Sequence, residues 1–308
     1  MKIDVVAIGE VCLDVITSNI PSILNRNITL NDITVTAGGM AVWFSRGIKS
    51  LNFRPGIISK IGKDHVGMFI LKILQEEGID TRGIKLSNVK TSVCIGLILS
   101  DGLKRFIGML PPRLESDDID LNYITQAKAL HMAGYFLYPS LWGDNLRKIF
   151  KYAKKEGLLI SLDTQSSSYA RSISRQKLQS ILKSVLDFVD VLLLDENEGE
   201  LITGSDEPTT ILERLSNLGA NLIGLKLGRK GSMVFLNGKI YEIQAFDAPL
   251  KDTVGSGDIW DAGFLIGLLK RLEPKDAALV ANAAVVLNKG LREKDRLNAM
   301  KFMQEKIM

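Results

Sequence analysis

The residues best suited to chemistry stand together at Asp252-Thr253-Val254-Gly255-Ser256-Gly257-Asp258, directly ahead of the apolar run over residues 259–269. Two glycines flanking a serine give a tight turn, and the periodic apolar spacing after it predicts a helix. Glycine lets successive N–H groups point one way, with no Cβ to block an approaching anion. The first N–H groups of a helix have no internal partner, and the helix dipole adds positive potential there. A phosphate suits such a site. Asp258 puts a carboxylate where an acid would ordinarily repel phosphate, which makes sense if it takes a proton from the group that attacks phosphorus. The turn therefore points to phosphoryl transfer. The same residues also fit a plain helix start, with Asp258 in the first turn for dipole reasons alone.

The elements that must position this turn alternate along the chain. Short apolar runs at 3–8, 56–61, 129–133, 158–163, 189–194 and 222–227 suit buried parallel strands. Helical patterns at 39–51, 66–77, 144–156, 175–186 and 209–218 lie between them. The alternation predicts one α/β domain over 1–308, with a doubly wound, mostly parallel sheet flanked by helices. Two segments break the pattern. Residues 11–37 are alternating and turn-rich, and 92–110 read as two strands joined by Ser100-Asp101-Gly102, a hairpin signal. Together they predict a small β-sheet lid over the C-terminal strand ends, where ligands of open α/β sheets bind.

Composition narrows the class. The 308 residues are 46% hydrophobic and 24% charged, the balance of a globular chain with a sizeable core. The net charge of +4 is spread with no dense basic block, which argues against nucleic-acid binding as the main role. Cys12 and Cys94 form neither a disulfide framework nor a CxxC metal pair, so a reducing cytoplasm is the expected setting. Asp4, Glu10 and Asp14 interrupt the apolar start, against a secretory signal. No stretch reaches the ~18 apolar residues of a membrane span, so a cytoplasmic protein is expected.

No P-loop or Gly-rich dinucleotide fingerprint occurs. The chain instead resembles the ribokinase-like (PfkB) family of sugar and nucleoside kinases. Asp252 to Asp258 matches the family's DTxGAGD signature with Ser256 in place of alanine, followed by Ala262-Gly263-Phe264-Leu265. Ile8-Gly9-Glu10 with Asp14, Gly38-Gly39, and Gly62-Lys63-Asp64-His65-Val66-Gly67 match its N-terminal regions. Lys226-Leu227-Gly228-Arg229-Lys230-Gly231 and Ala281-Asn282-Ala283-Ala284 match its nucleotide side. The motifs fall in family order across nearly the whole chain.

The resemblance implies that Asp258 is the catalytic base, taking a proton from a hydroxyl that attacks the γ-phosphorus of ATP. Gly255, Ser256 and Gly257 would supply the amides of an anion hole. Asp195-Glu196-Asn197-Glu198 is similar to the family's N-x-x-E motif, with Asp195 replacing asparagine; Glu198 would then support hydrated Mg²⁺ through water. A plain N-cap explains Asp195 equally. Lys226, Gly228 and Gly231 would bring the nucleotide close to backbone, or merely end a strand in a turn. Asn282 would lie near the adenine, or be structural.

On the substrate side, the resemblance gives Asp14 two sugar or ribose hydroxyls, near Gly38 and Gly39. Trp43 stands where the family usually has asparagine. It could stack on a sugar or base, or fill the core. Gln165 and Ser167 replace another asparagine and an arginine. Arg105, with Lys104, could meet an anionic substrate or be a solvated edge charge. Neither His65 nor His131 is assigned chemistry, His131 being expected in the core. The expected activity is ATP-dependent phosphorylation of a hydroxyl on a small sugar or sugar derivative. A nucleoside kinase of the same fold and a non-catalytic sugar- or nucleotide-binding regulatory protein are the competing readings. The resemblance also raises a homodimer formed through the lids and a monovalent-cation requirement, neither fixed by these residues.

Overall fold

Runs such as Val5–Gly9 and Ala129–Ala133 are buried at every position, so both faces of the strands they form need cover. The computed structural model describes residues 2–21, 27–30, 32–100, 104–165, 168–250 and 252–307. The chain runs β1 (Val5–Gly9), β2 (Cys12–Ile20), β3 (Ile33–Gly38), α1 (Met40–Ser50), β4 (Pro55–Gly62), α2 (His65–Glu76), β5 (Asp80–Ser87), β6 (Ser92–Leu99) and β7 (Lys104–Gly108). It continues through α3 (Leu121–Ile124), β8 (Ala129–Ala133), α4 (Asp144–Lys155), β9 (Leu159–Asp163), α5 (Ser168–Arg171) and α6 (Arg175–Leu186). Then come β10 (Val191–Asp195), α7 (Glu196–Thr203), α8 (Pro208–Asn217), β11 (Leu222–Lys226), β12 (Ser232–Leu236) and β13 (Lys239–Ile243). Helices α9 (Ser256–Leu269), α10 (Pro274–Lys289) and α11 (Glu293–Lys306) complete it.

The main sheet has nine strands in the order β13-β12-β11-β10-β9-β8-β1-β4-β5. Pairing is parallel from β5 to β11, while β12 and β13 add antiparallel at one edge. Alternate residues feed two cores. Val6 and Ile8 of β1 join the cluster under α4, α6 and α8, whereas Val5 and Ala7 join the one under α1, α9 and α10. The predicted strands and long helices all form. Strands β5, β12 and β13 go beyond the sequence reading: β5 and β13 are half-exposed edge strands with no continuous apolar run.

The second sheet, ordered β3-β2-β6-β7, is the small separate sheet expected from 11–37 and 92–110. Strands β6 and β7 pair antiparallel from Cys94↔Gly108 to Ile98↔Lys104. Their predicted hairpin turn at Asp101-Gly102 lies outside the described residues. Among the described residues, no helix is long and apolar enough to cross a membrane.

Candidate active site

Strand β1 lies between β8 and β4, so successive connections leave it in opposite directions and open a crevice at the C-terminal strand ends. There β9, β10 and β11 end at Asp163, Asp195 and Lys226. These three residues, Gly255 to Asp258 and the Gly228–Gly231 turn line one cavity of about 920 Å³.

Gly255 is the N-cap of α9 and adopts the left-handed conformation at φ 70°. A Cβ there would stand 2.3 Å from Trp43 Cγ, so only glycine fits both the backbone and the packing. The Ser256 amide bonds the Thr253 carbonyl at 3.3 Å, and the Ser256 hydroxyl is buried with no partner among the described residues. An unpaired buried hydroxyl costs about 1–3 kcal/mol, which a ligand oxygen could offset. The turn thus has the orphaned donor that an anion site needs.

Asp258, in the first turn of α9, is half-buried on the cavity wall. Burial, with repulsion from Asp163, pushes its carboxyl well above the usual aspartate range, and Lys226 opposes the shift. A raised value suits a base that must accept a proton.

Lys226 joins three elements. Its Nζ donates to Asp163 Oδ2 at 2.9 Å and to Asp261 Oδ1 and Oδ2 at 2.9 and 3.0 Å. Asp261 is fully buried one turn beyond Asp258. Burial alone would lower the Lys226 value, yet Asp163 and Asp261 outweigh it and hold the ammonium well above the ordinary lysine range.

Asp195 is the N-cap of α7 in a reciprocal capping box. Its Oδ1 accepts from the Glu198 amide at 2.9 Å, and Glu198 Oε2 accepts from the Asp195 amide at 2.9 Å. The capping reading of these residues is therefore realised, and all four residues from Asp195 to Glu198 still line the cavity. Burial, then Asp163 and Asp195, push the Glu198 carboxyl well above its usual range. Among the described residues, no group of three or more His, Cys, Asp or Glu side chains is set to ligate a metal directly. Hard carboxylate oxygens beside a phosphate-sized turn do fit Mg²⁺ that keeps its waters and arrives with a nucleotide.

The other end of the cavity is apolar, walled by Ala245, Phe246, Pro249 and Val285. Gly228 and Gly231 face it with φ 58° and 103°, and a Cβ on Gly231 would meet the Ile243 carbonyl at 2.1 Å. Asn282 also lines this end, but its amide is occupied. Its Oδ1 accepts from Trp260 Nε1 at 2.9 Å and its Nδ2 donates to the Gln244 carbonyl at 2.8 Å. Asn282 therefore holds the loop after β13 in place.

Toward the small sheet, Met40, Phe106 and Gln165 line the cavity, the last with a left-handed φ of 57°. Asp14, Gly38, Gly39, Trp43 and Arg105 are not among the lining residues. Asp14 is buried, accepting from Trp43 Nε1 at 3.0 Å and Cys12 Sγ at 3.3 Å. Burial pushes its carboxyl up, and the two bonds oppose that. Gly38 ends β3 against the Asp14 carboxyl, and Gly39 caps α1. The Trp43 ring has Lys289 Nζ at 4.0 Å and the Arg46 guanidinium carbon at 4.7 Å, so it packs within the protein. Arg105 is exposed on the face of β7 opposite Phe106. His131 is fully buried and stacked on Phe44, with Nδ1 2.8 Å from Ser161 Oγ and Nε2 unpartnered.

Sequence reasoning missed Asp261, Met40 and Phe106. A lone carboxylate three residues after Asp258 in an apolar helix was a usable signal for Asp261, because it must find a buried partner.

A family model described as pfkB family carbohydrate kinase matches residues 2–293. A 5-dehydro-2-deoxygluconokinase from Clostridium perfringens is 26% identical over 301 residues, covering 93% of this chain and 87% of that protein. Arabidopsis thaliana ribokinase, solved with ribose and ATP, superposes with a TM-score of 0.77 at 22% identity, covering 99% of each chain. An E. coli chain solved with ATP and Mg²⁺ gives a TM-score of 0.79 at 21% identity, covering 98% of this chain and 99% of that one. The two structures establish the ribokinase-like fold, and the model match establishes the family. The chain is a member of the pfkB family of carbohydrate kinases.

Proposed function

We propose that this chain transfers the terminal phosphoryl group of ATP to a hydroxyl of a small sugar or sugar derivative. The observation that carries the proposal is the shared wall of one cavity: Asp258, the head of α9 and the apolar side chains Ala245, Phe246, Pro249 and Val285. Asp258 accepts the proton of the attacking hydroxyl. The Gly255 and Gly257 amides and the unpaired Ser256 hydroxyl bear the negative charge of the transferring group, where a loose transition state needs positioning and charge stabilisation. The adenine lies between Ala245, Phe246, Pro249 and Val285, close to Gly228 and Gly231. Asp195, Glu196 and Glu198 would hold a hydrated Mg²⁺ ion arriving with ATP, which would supply charge neutralisation. The acceptor enters beside Met40, Phe106 and Gln165, under the small sheet as a lid. Asp14 fixes the Trp43 indole beside the turn by accepting its N–H.

The outer face of the small sheet fits a second copy of this chain. Val35, Val15, Ile95 and Ile107 are cross-strand neighbours in one row, and Val35, Ile95 and Ile107 are 48%, 37% and 63% exposed. A homodimer through the lids would cover that row. An Ile107→Asp variant should then sediment as a monomer while the parent sediments as a dimer; a monomeric parent contradicts the dimer.

The direct test of the activity is ³¹P NMR of mixtures of MgATP, protein and a panel of sugars and sugar acids. The acceptor denoted by the relatives' name, 5-dehydro-2-deoxygluconate, heads that panel. A new phosphate-ester resonance with matching ADP supports the proposal, and ATP binding without any ester favours a non-catalytic role.

A further inference from the structure

Lys226 is set differently from a surface ion pair. It lies at the end of β11, its side chain is only 13% exposed, and that small exposure faces the cavity. Three elements meet at its Nζ: the end of β9 through Asp163, β11 itself, and α9 through Asp261. The Nζ stands 3.6 Å from the position a Cβ would take on Gly257, within the turn that receives the anion. An ammonium has three N–H donors. Sharing one between the two Asp261 oxygens and giving another to Asp163 leaves the third for an oxygen in the cavity.

Stability is a weak reason for such an arrangement. A buried ion pair often contributes no more than a well-packed apolar pair would, because desolvation offsets the attraction. What two carboxylates around one ammonium do secure is a fixed position and a permanent charge. Asp163 and Asp261 hold the Lys226 proton far more tightly than water would. A fixed cation beside the head of α9 is placed to act on negative charge that grows during phosphoryl transfer.

We propose that the Lys226 ammonium is a catalytic cation that contacts an oxygen of the transferring phosphoryl group, and that Asp261 is the positioning residue that aims it at the Gly255–Gly257 turn. The inference rests on the kinase function proposed above. The new O–P bond forms to the acceptor as the bond from phosphorus to the ADP oxygen breaks. The acceptor proton passes to Asp258, and Lys226 keeps its own proton throughout. Lys226 also opposes the upward push of Asp163 on Asp258, helping to keep that base ionised.

The test compares Lys226→Met, Lys226→Arg and the double variant Lys226→Met/Asp261→Asn. The double variant removes the carboxylate charge that the single one would strand, so it keeps the test open if Lys226→Met fails to fold. Two quantities are read: kcat on the acceptor found for the parent, and the affinities for MgADP alone and for MgADP with aluminium fluoride, a planar mimic of the transferring group. The expected result is a fall in kcat of ~10²–10³-fold in the double variant, with MgADP affinity within about threefold of the parent. The extra affinity for the fluoride complex falls with kcat, and Lys226→Arg recovers part of both. A double variant that folds and turns over within about threefold of the parent overturns the proposal and leaves the kinase function intact. A parallel loss of MgADP and fluoride-complex binding also overturns it, assigning Lys226 to ground-state nucleotide binding. A parent inactive on every acceptor defeats the kinase function itself, and this inference with it.

Discussion

The indole of Trp43 lies against the backbone of Gly255, so close that a Cβ at 255 would stand 2.3 Å from Trp43 Cγ. The same indole donates its N–H to Asp14 at 3.0 Å. One side chain therefore links the base of the small sheet to the turn at the head of α9. Gly255→Ala should suffer twice, from a left-handed backbone that disfavours a side chain and from the clash with the ring. The backbone component alone is on the order of 1–3 kcal/mol. Thermal unfolding should show a lowered Tm, and kcat should fall with it. Trp43→Ala should relieve the clash component, so the double variant should be less destabilised than the sum of the two single ones. Simple additivity would show that the ring and the turn are not coupled.

Asp258 should set the acid limb of the rate profile. Its carboxyl is raised by burial and by Asp163. A base works only when ionised, so kcat/KM should rise with pH through that raised value and then level off. The limb should lie well above the usual aspartate range. A profile already flat across that range would remove Asp258 from the role of base.

Glu10 should make stability depend on pH. Burial, with Asp14 beside it, raises its carboxyl from an ordinary 4.5 to about 7. The folded protein therefore binds this proton more tightly than the unfolded chain does. Its stabilising contribution is complete below about 4.5 and is lost as pH rises through about 7. The full swing is on the order of 3 kcal/mol. Denaturant midpoints of the parent should fall over this window relative to those of Glu10→Gln. Parallel curves for the two proteins would mean that Glu10 titrates normally.

Lys289 should brace the same turn from the other side. Its Nζ bonds Asp252 Oδ1 at 2.9 Å, and Asp252 opens the segment that leads into α9. Breaking a buried pair costs about 3–5 kcal/mol, but the Asp252 side chain keeps 30% of its exposure, so about 1–2 kcal/mol is expected here. Lys289→Met should lower the urea midpoint accordingly and reduce kcat, with Asp252→Asn giving a milder loss of both. An unchanged midpoint and kcat in Lys289→Met would show that the bond does not support the turn.

The sequence displayed its parallel strands clearly, because β1, β8 and β10 are covered on both faces and must be apolar nearly throughout. Strand β13 was hidden because it is half-exposed at the sheet edge. The Gly255–Asp258 turn was legible because its chemistry is local: two glycines, a helix start and one carboxylate within four residues. Contacts between distant residues were not. Nothing in the residues around Trp43 announces that its N–H meets Asp14, 29 positions away, instead of a substrate. The partners of Lys226 are likewise 63 and 35 positions distant, so its chemistry emerges only when β9, β11 and α9 meet.

The most direct measurement is MgATP-dependent ADP release with sugars and sugar acids, run side by side for the parent and Asp258→Asn. Acceptor-dependent release by the parent, reduced ~10²–10⁴-fold in Asp258→Asn with MgATP binding retained, is the predicted result. Equal release by the two proteins would contradict Asp258 as the base and with it the proposed mechanism of phosphoryl transfer.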